Sequence, residues 1–133
     1  MVGLVRAFGL HRPDGTPCGK PVSVSEAHAL MELGRGTPLS QRELGERLQL
    51  EKSTVSRLVS HLEALGWAVR GPDDADGRAV RVRLTERGER VARELADARR
   101  AKFARVLASI PEEERDRVEH ALGVLAEAMR ADA

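Results

Sequence analysis

Aromatic side chains are almost missing, with two phenylalanines, one tryptophan and no tyrosine in 133 residues. A core with so few rings has to be built from Leu, Val and Ala, and 32% of the chain is charged. A chain of this size and make-up is expected to complete its core against a partner. The single cysteine, Cys18, excludes an internal disulfide and any multi-cysteine zinc site. No run of about 18 apolar residues exists to cross a membrane. Met1 to Leu10 carries Arg6 with no hydrophobic stretch after it, so no signal peptide is expected and the location implied is cytoplasmic. There is no G-x-S-x-G, no phosphate loop and no His/Asp pairing of catalytic spacing, so neither an enzyme nor a bound cofactor is expected. A formal net charge of +1 leaves any basic footprint to the distribution of charge. The length suits one domain over 1–133.

What the chain does have is concentrated between Leu39 and Arg70. Ser40 and Glu43 stand in S-x-x-E spacing, a capping box that opens a first helix with Leu44 and Leu48 on its apolar edge. A second helix places Val55, Leu58, Val59, Leu62 and Leu65 on one stripe, which predicts burial of that side. Opposite the stripe stand Ser53, Ser56, Arg57, Ser60 and His61, flanked by Lys52 and Thr54, with no acidic residue among them. Short hydroxyls let a backbone approach closely, and Arg57 offers a planar fork of donors suited to phosphate or a guanine edge. That is the chemistry of a helix in a major groove.

Residues 67–71 and 79–84 alternate as two strands joined by PDDADGR, whose Asp76-Gly77 is a strong hairpin signal. Helix, turn, helix and two-stranded wing make a winged helix-turn-helix. In S-T-V-S-R-L-V-x-x-L-E-x-x-G-W at 53–67, D-x-x-D-G-R at 73–78 and L-T-x-x-G at 84–88, the chain from about Val24 onward resembles the MarR family of bacterial transcription regulators. The resemblance implies a mainly α fold with a small β-wing. It also implies a homodimer formed by N- and C-terminal helices, with 39–84 reading DNA and residues 1–10 and 85–131 making the dimer.

The flanking segments fit that plan. Residues 1–10 read as a short helix through Leu4, Val5 and Phe8, shorter than the family leads one to expect, followed by a Pro/Gly-rich loop. Ser23 and Glu26 form a second capping box, opening a helix with Ala27, Leu30 and Met31 inward that ends at Gly34. Thr85 is the expected N-cap of a long helix to about Ala108, with Val91, Leu95, Ala98, Phe103, Val106 and Ile110 along one side. Ser109 and Glu112 suggest a third capping box with Pro111 in the first turn. The last helix carries Val118, Leu122, Leu125 and Met129 as a seam for another helix.

The expected DNA contacts are Arg42, Lys52, Ser53, Thr54, Ser56, Arg57, Ser60 and His61, with Asp76, Arg78 and Arg81 on the wing. Arg78 is placed there by the resemblance, in which an arginine of D-x-x-D-x-R enters the minor groove steadied by a wing acid. Asp73, Asp76 and Arg78 match that pattern, and Gly77 replaces a second arginine often found. Arg83 would extend the contact. The dimer contacts expected are Leu4, Val5, Phe8, Phe103, Val118, Leu122, Leu125 and Met129. The partners implied are a pseudopalindromic double-stranded operator, a second copy of the chain and a small apolar anion as effector, the protein acting as a repressor. Two alternatives stay open: a winged-helix protein-interaction module, and a redox or zinc sensor using Cys18. Cys18 lacks the tyrosines that lower the pKa of family sensor thiols, and only Lys20 is a nearby cation. Cys18, Glu26, His28, His11 and His120 are zinc-ligand types in no zinc spacing, so no metal is assigned, and His28 reads as a half-buried polar residue near the partner.

Overall fold

The computed structural model describes Gly3, Arg6, Ala7, Thr16 and residues 19–72 and 78–132. The chain divides into two compact units, Met1–Arg99 and Arg100–Ala133. The expected loop acids Asp73 and Asp76 with Gly77, the apolar Leu4, Val5 and Phe8, and Cys18 and His11 all lie outside the described residues. Gly3, Arg6 and Ala7 have helical backbone.

In the first unit, helix α1 spans Val24–Leu33, α2 Gln41–Leu48 and α3 Lys52–Ala64. Both expected capping boxes form. The Ser23 hydroxyl accepts from the Glu26 amide at 3.2 Å and the Glu26 carboxylate accepts from the Ser23 amide at 2.7 Å. Ser40 and Glu43 repeat the exchange at 3.1 and 2.7 Å. Caps of this kind contribute about 1 kcal/mol each. The turn between α2 and α3 is made by Gln49, which ends α2 in the left-handed region at φ 54°. Strands β1 (Ala68–Pro72) and β2 (Val80–Leu84) pair antiparallel, from Ala68 opposite Leu84 to Pro72 opposite Val80. Leu39 and Val82 exchange both backbone hydrogen bonds, at 3.0 and 2.7 Å, on the far side of β2. The chain entering α2 thus pairs with an otherwise open edge.

The strands begin one residue later than expected and the first ends one later. Trp67 is taken by the end of α3, its amide donating to Leu62 at 2.9 Å, and its carbonyl accepts from Thr85 at 3.0 Å. The core comprises Ala27, Ala29, Leu30 and Leu33 of α1, Leu39, Leu44, Val55, Val59 and Leu62, Ala68 and Val82 of the hairpin, and Ala92 and Leu95 of the next helix, with Val22. Leu58 and Leu65 are only half-buried at the margins of the α3 stripe, and Met31 likewise. The inward set of α1 is completed instead by Ala29 and Leu33. His28, expected half-buried, is exposed in the single chain.

Helix α4 runs Glu86–Ala108. Thr85 caps it as expected, its hydroxyl accepting from the Gly88 amide at 3.0 Å and donating to the Gly66 carbonyl at 2.7 Å. Gly88 rests so closely against the junction between α3 and β1 that a Cβ there would sit 1.9 Å from the Trp67 carbonyl oxygen.

The second unit holds residues 100–108 of α4 and helix α5, Glu112–Ala131. The third capping box does not form. The Ser109 hydroxyl is turned back to the Val106 carbonyl at 2.7 Å, and Pro111 stands at the N-cap position, outside the first turn. The end of α4 is closed by Arg115, whose Nε donates to the Leu107 and Ile110 carbonyls at 3.1 Å each. No helix among the described residues is long and apolar enough to cross a membrane.

Candidate nucleic-acid interface

Helix α3 buries Val55, Val59 and Leu62 and leaves Lys52, Ser53, Ser56, Arg57, Ser60 and His61 exposed, with Thr54 half-buried. At about 100° per residue, Ser53, Arg57 and Ser60 form the crest while Ser56 and Glu63 lie along one flank and Thr54 and His61 along the other. Each flank is fastened to a neighbouring element. His61 Nε2 lies 2.9 Å from Glu26 Oε1, a carboxylate already engaged in capping α1. On the opposite flank Arg70 of β1 pairs with Glu63 and donates to Ser60 Oγ at 3.2 Å and to the Ser56 carbonyl at 3.3 Å. Arg57 and Lys52 make no ion pair or hydrogen bond among the described residues, so their charges are presented to solvent.

The remaining expected contacts are spread over α2 and the hairpin. Arg42 is exposed and bonded through Nε to Glu46 at 2.8 Å, which raises its pKa and keeps it cationic. Arg78 is exposed at the return of the hairpin. Arg81 is half-buried and pairs with Glu43, so its guanidinium is shared with the α2 cap instead of lying open along the wing. Arg83 is exposed. The backbone amide and hydroxyl of Ser40 hold the Glu43 carboxyl below its ordinary 4.5, with Arg81 adding to the effect. A depressed folded value means the contribution of Glu43 is complete above 4.5 and is lost as pH falls through the lower folded value. Glu43→Gln is therefore expected to flatten the acid limb of stability against pH, checked by urea unfolding across that range; an unchanged limb would remove Glu43 from acid sensitivity.

The residue that reading the sequence missed is Arg70. It sits in a strand, its partners lie between 7 and 29 positions away, and no local motif announces it. Lys20, two positions after Cys18 in the sequence, pairs with Glu94 at 3.3 Å. Among the described residues no group of three or more His, Cys, Asp or Glu is placed to hold a metal ion.

A MarR family model matches residues 20–79. The repressor MdtR of Bacillus subtilis is 28% identical over 111 residues, covering 84% of this chain and 72% of MdtR. A solved MarR family protein from Bacillus stearothermophilus is 32% identical with a TM-score of 0.70, over 84% of this chain and 77% of that one. In fold, the chain is similar to Streptococcus pneumoniae FabT, solved in complex with DNA, at a TM-score of 0.77 and 20% identity over 99% of this chain and 87% of FabT.

Proposed function

The chain belongs to the MarR family of DNA-binding transcription regulators, and from that premise we propose that it is a homodimeric repressor that reads a pseudopalindromic operator and is released by a small ligand. The observation that carries the reading is the crest of α3: an uncommitted Arg57 between short hydroxyls, on a helix braced at both flanks. Two such helices, one per protomer, enter successive major grooves roughly 34 Å apart. Lys52 and Arg42 hold phosphates, which sets position, while Arg57 and the hydroxyls meet base edges. Ser53, Thr54, Ser56 and Ser60 line the approach, His61 stands at its far end, and Arg78 with Asp76 serves the minor groove. Repression agrees with MdtR, a repressor by name. A cleft of about 510 Å³ between the end of α1 and α4 is lined by Met31, Arg35, Glu89, Ala92, Arg93 and Arg99; Glu89 pairs with Arg93 at 3.6 Å, and the remaining excess of arginine beside apolar side chains suits an apolar anion.

Footprinting on the DNA upstream of its own gene, followed by affinity for the protected duplex and a scrambled one at two salt concentrations, tests the reading. Arg57→Ala is expected to cost about 1–3 kcal/mol on the cognate duplex and to relax preference at one base pair per half-site. Equal weakening on both duplexes would make Arg57 a phosphate contact, and unchanged affinity for both would remove α3 as the reader. Arg78→Ala is expected to weaken both duplexes and to reduce the salt slope by about one, since a minor-groove arginine acts largely through electrostatic potential. Parental affinity and slope in that variant would remove the wing from the interface.

A further inference from the structure

Arg70 reaches past α3 to a second helix. Besides Glu63, Ser60 and the Ser56 carbonyl, its Nη2 donates to Gln41 Oε1 at 3.3 Å, at the first residue of α2. A guanidinium carries donors only, so the Gln41 carboxamide must present its oxygen to Arg70 and turn its NH₂ group to the other side. Gln41 also lines, with Arg42, Glu46, Glu51, Lys52 and Ser56, an open cleft of about 550 Å³ between α2 and the start of α3, in which the Glu46 carboxylate is paired with Arg42 at 2.8 Å. Three of those neighbours belong to the proposed DNA face. A phosphate oxygen is an acceptor only, and an amide fixed with its donors outward is complementary to it.

We propose that Gln41 is a phosphate-binding residue of the interface and that Arg70 is the positioning residue that aims its amide, so that one wing arginine sets both the recognition helix and a contact on α2. The inference rests on the DNA-binding reading above. It differs from the arginine and lysine contacts in kind: a neutral donor displaces no counterion, so it adds affinity without adding salt dependence.

The test uses the full chain, a duplex selected by the parent from a random pool, and a scrambled duplex. Gln41→Glu keeps an oxygen for Arg70 but replaces the outward donor with a negative oxygen. It is expected to retain or raise the unfolding midpoint while weakening both duplexes by about tenfold or more, the scale of one hydrogen bond to a charged group lost. Gln41→Ala is expected to weaken both by about fivefold with an unchanged salt slope. In an Arg70→Met background the same alanine change is expected to cost less than about twofold, because the amide is no longer aimed. Arg70→Lys takes that place if Arg70→Met does not fold. Parental binding by Gln41→Glu would overturn the phosphate contact, and additive losses in the cycle would overturn the positioning role. A parent that enriches no duplex from the pool would instead overturn the operator-reading proposal itself, leaving the two failures distinguishable.

Discussion

Gly88→Val is expected to destabilise the first unit by about 3 kcal/mol or more, the upper range for overpacking a tight contact. The reason is local. A Cβ on Gly88 would stand 1.9 Å from the Trp67 carbonyl oxygen, 2.8 Å from its carbonyl carbon and 3.1 Å from its Cα. All three are backbone atoms held from both sides, by the Trp67 amide on Leu62 and by the Thr85 amide on the Trp67 carbonyl. No rotamer change relieves the clash, so the start of α4 has to lift from Trp67 and break the hydrogen bond that the Thr85 hydroxyl donates to the Gly66 carbonyl. Against a total stability of roughly 5–15 kcal/mol, that loss shifts the urea midpoint far enough to read directly and takes DNA binding with it. Gly71→Ala, in β1, is the control: the nearest atoms a Cβ meets there are those of the Arg83 guanidinium, at 3.5 Å or beyond, and about 1 kcal/mol at most is expected. A Gly88→Val protein as stable as the parent would show that α4 does not need this seat.

The winged helix-turn-helix was legible because its signals are short-range. Ser23/Glu26 and Ser40/Glu43 name their own partners three residues away, the α3 stripe repeats at helical spacing, and L-T-x-x-G holds both the cap and the glycine that the seat of α4 demands. The same spacing misled at Ser109 and Glu112. There the preceding helix competes for the hydroxyl, and Val106 captures it before a new helix begins. Spacing specifies a cap only where nothing upstream can claim the side chain. The pairing made by the wing was not legible for a different reason. Alternation places Arg81 on a strand but not beside α2, and only the Leu39 to Val82 bridge brings it to Glu43. His61 lies on the flank of the polar face, where its length lets it reach Glu26 on another helix. Arg70 depends on three elements meeting at once, a condition that no periodicity records.

Removal of α5, by ending the chain after Ile110, is expected to abolish assembly and to lower operator affinity by about 10²–10⁴-fold, the gain that linking two binding modules supplies. Every buried apolar residue among those described lies at or before Leu95. The second unit instead exposes Phe103 (41%), Val106 (43%), Leu122 (49%), Val124 (54%) and Met129 (54%), with Val118 and Leu125 half-covered. Apolar side chains repeated along one face of a helix with no core of their own are a surface for association. Burying one such side chain contributes about 1.5–3 kcal/mol, so a seam of Val118, Leu122, Leu125 and Met129 is enough to decide assembly. Leu122→Asp tests the seam without deleting the helix: sedimentation is expected to show a shift from dimer to monomer, with the operator bound as weakly as by the truncated chain. Glu127→Ala, about half a helical turn from the seam, is expected to leave both properties unchanged. A truncated chain that stays folded, sediments as a monomer and still binds the operator with parental affinity would end the case for a dimer, and each DNA-binding lobe would then have to reach its site alone.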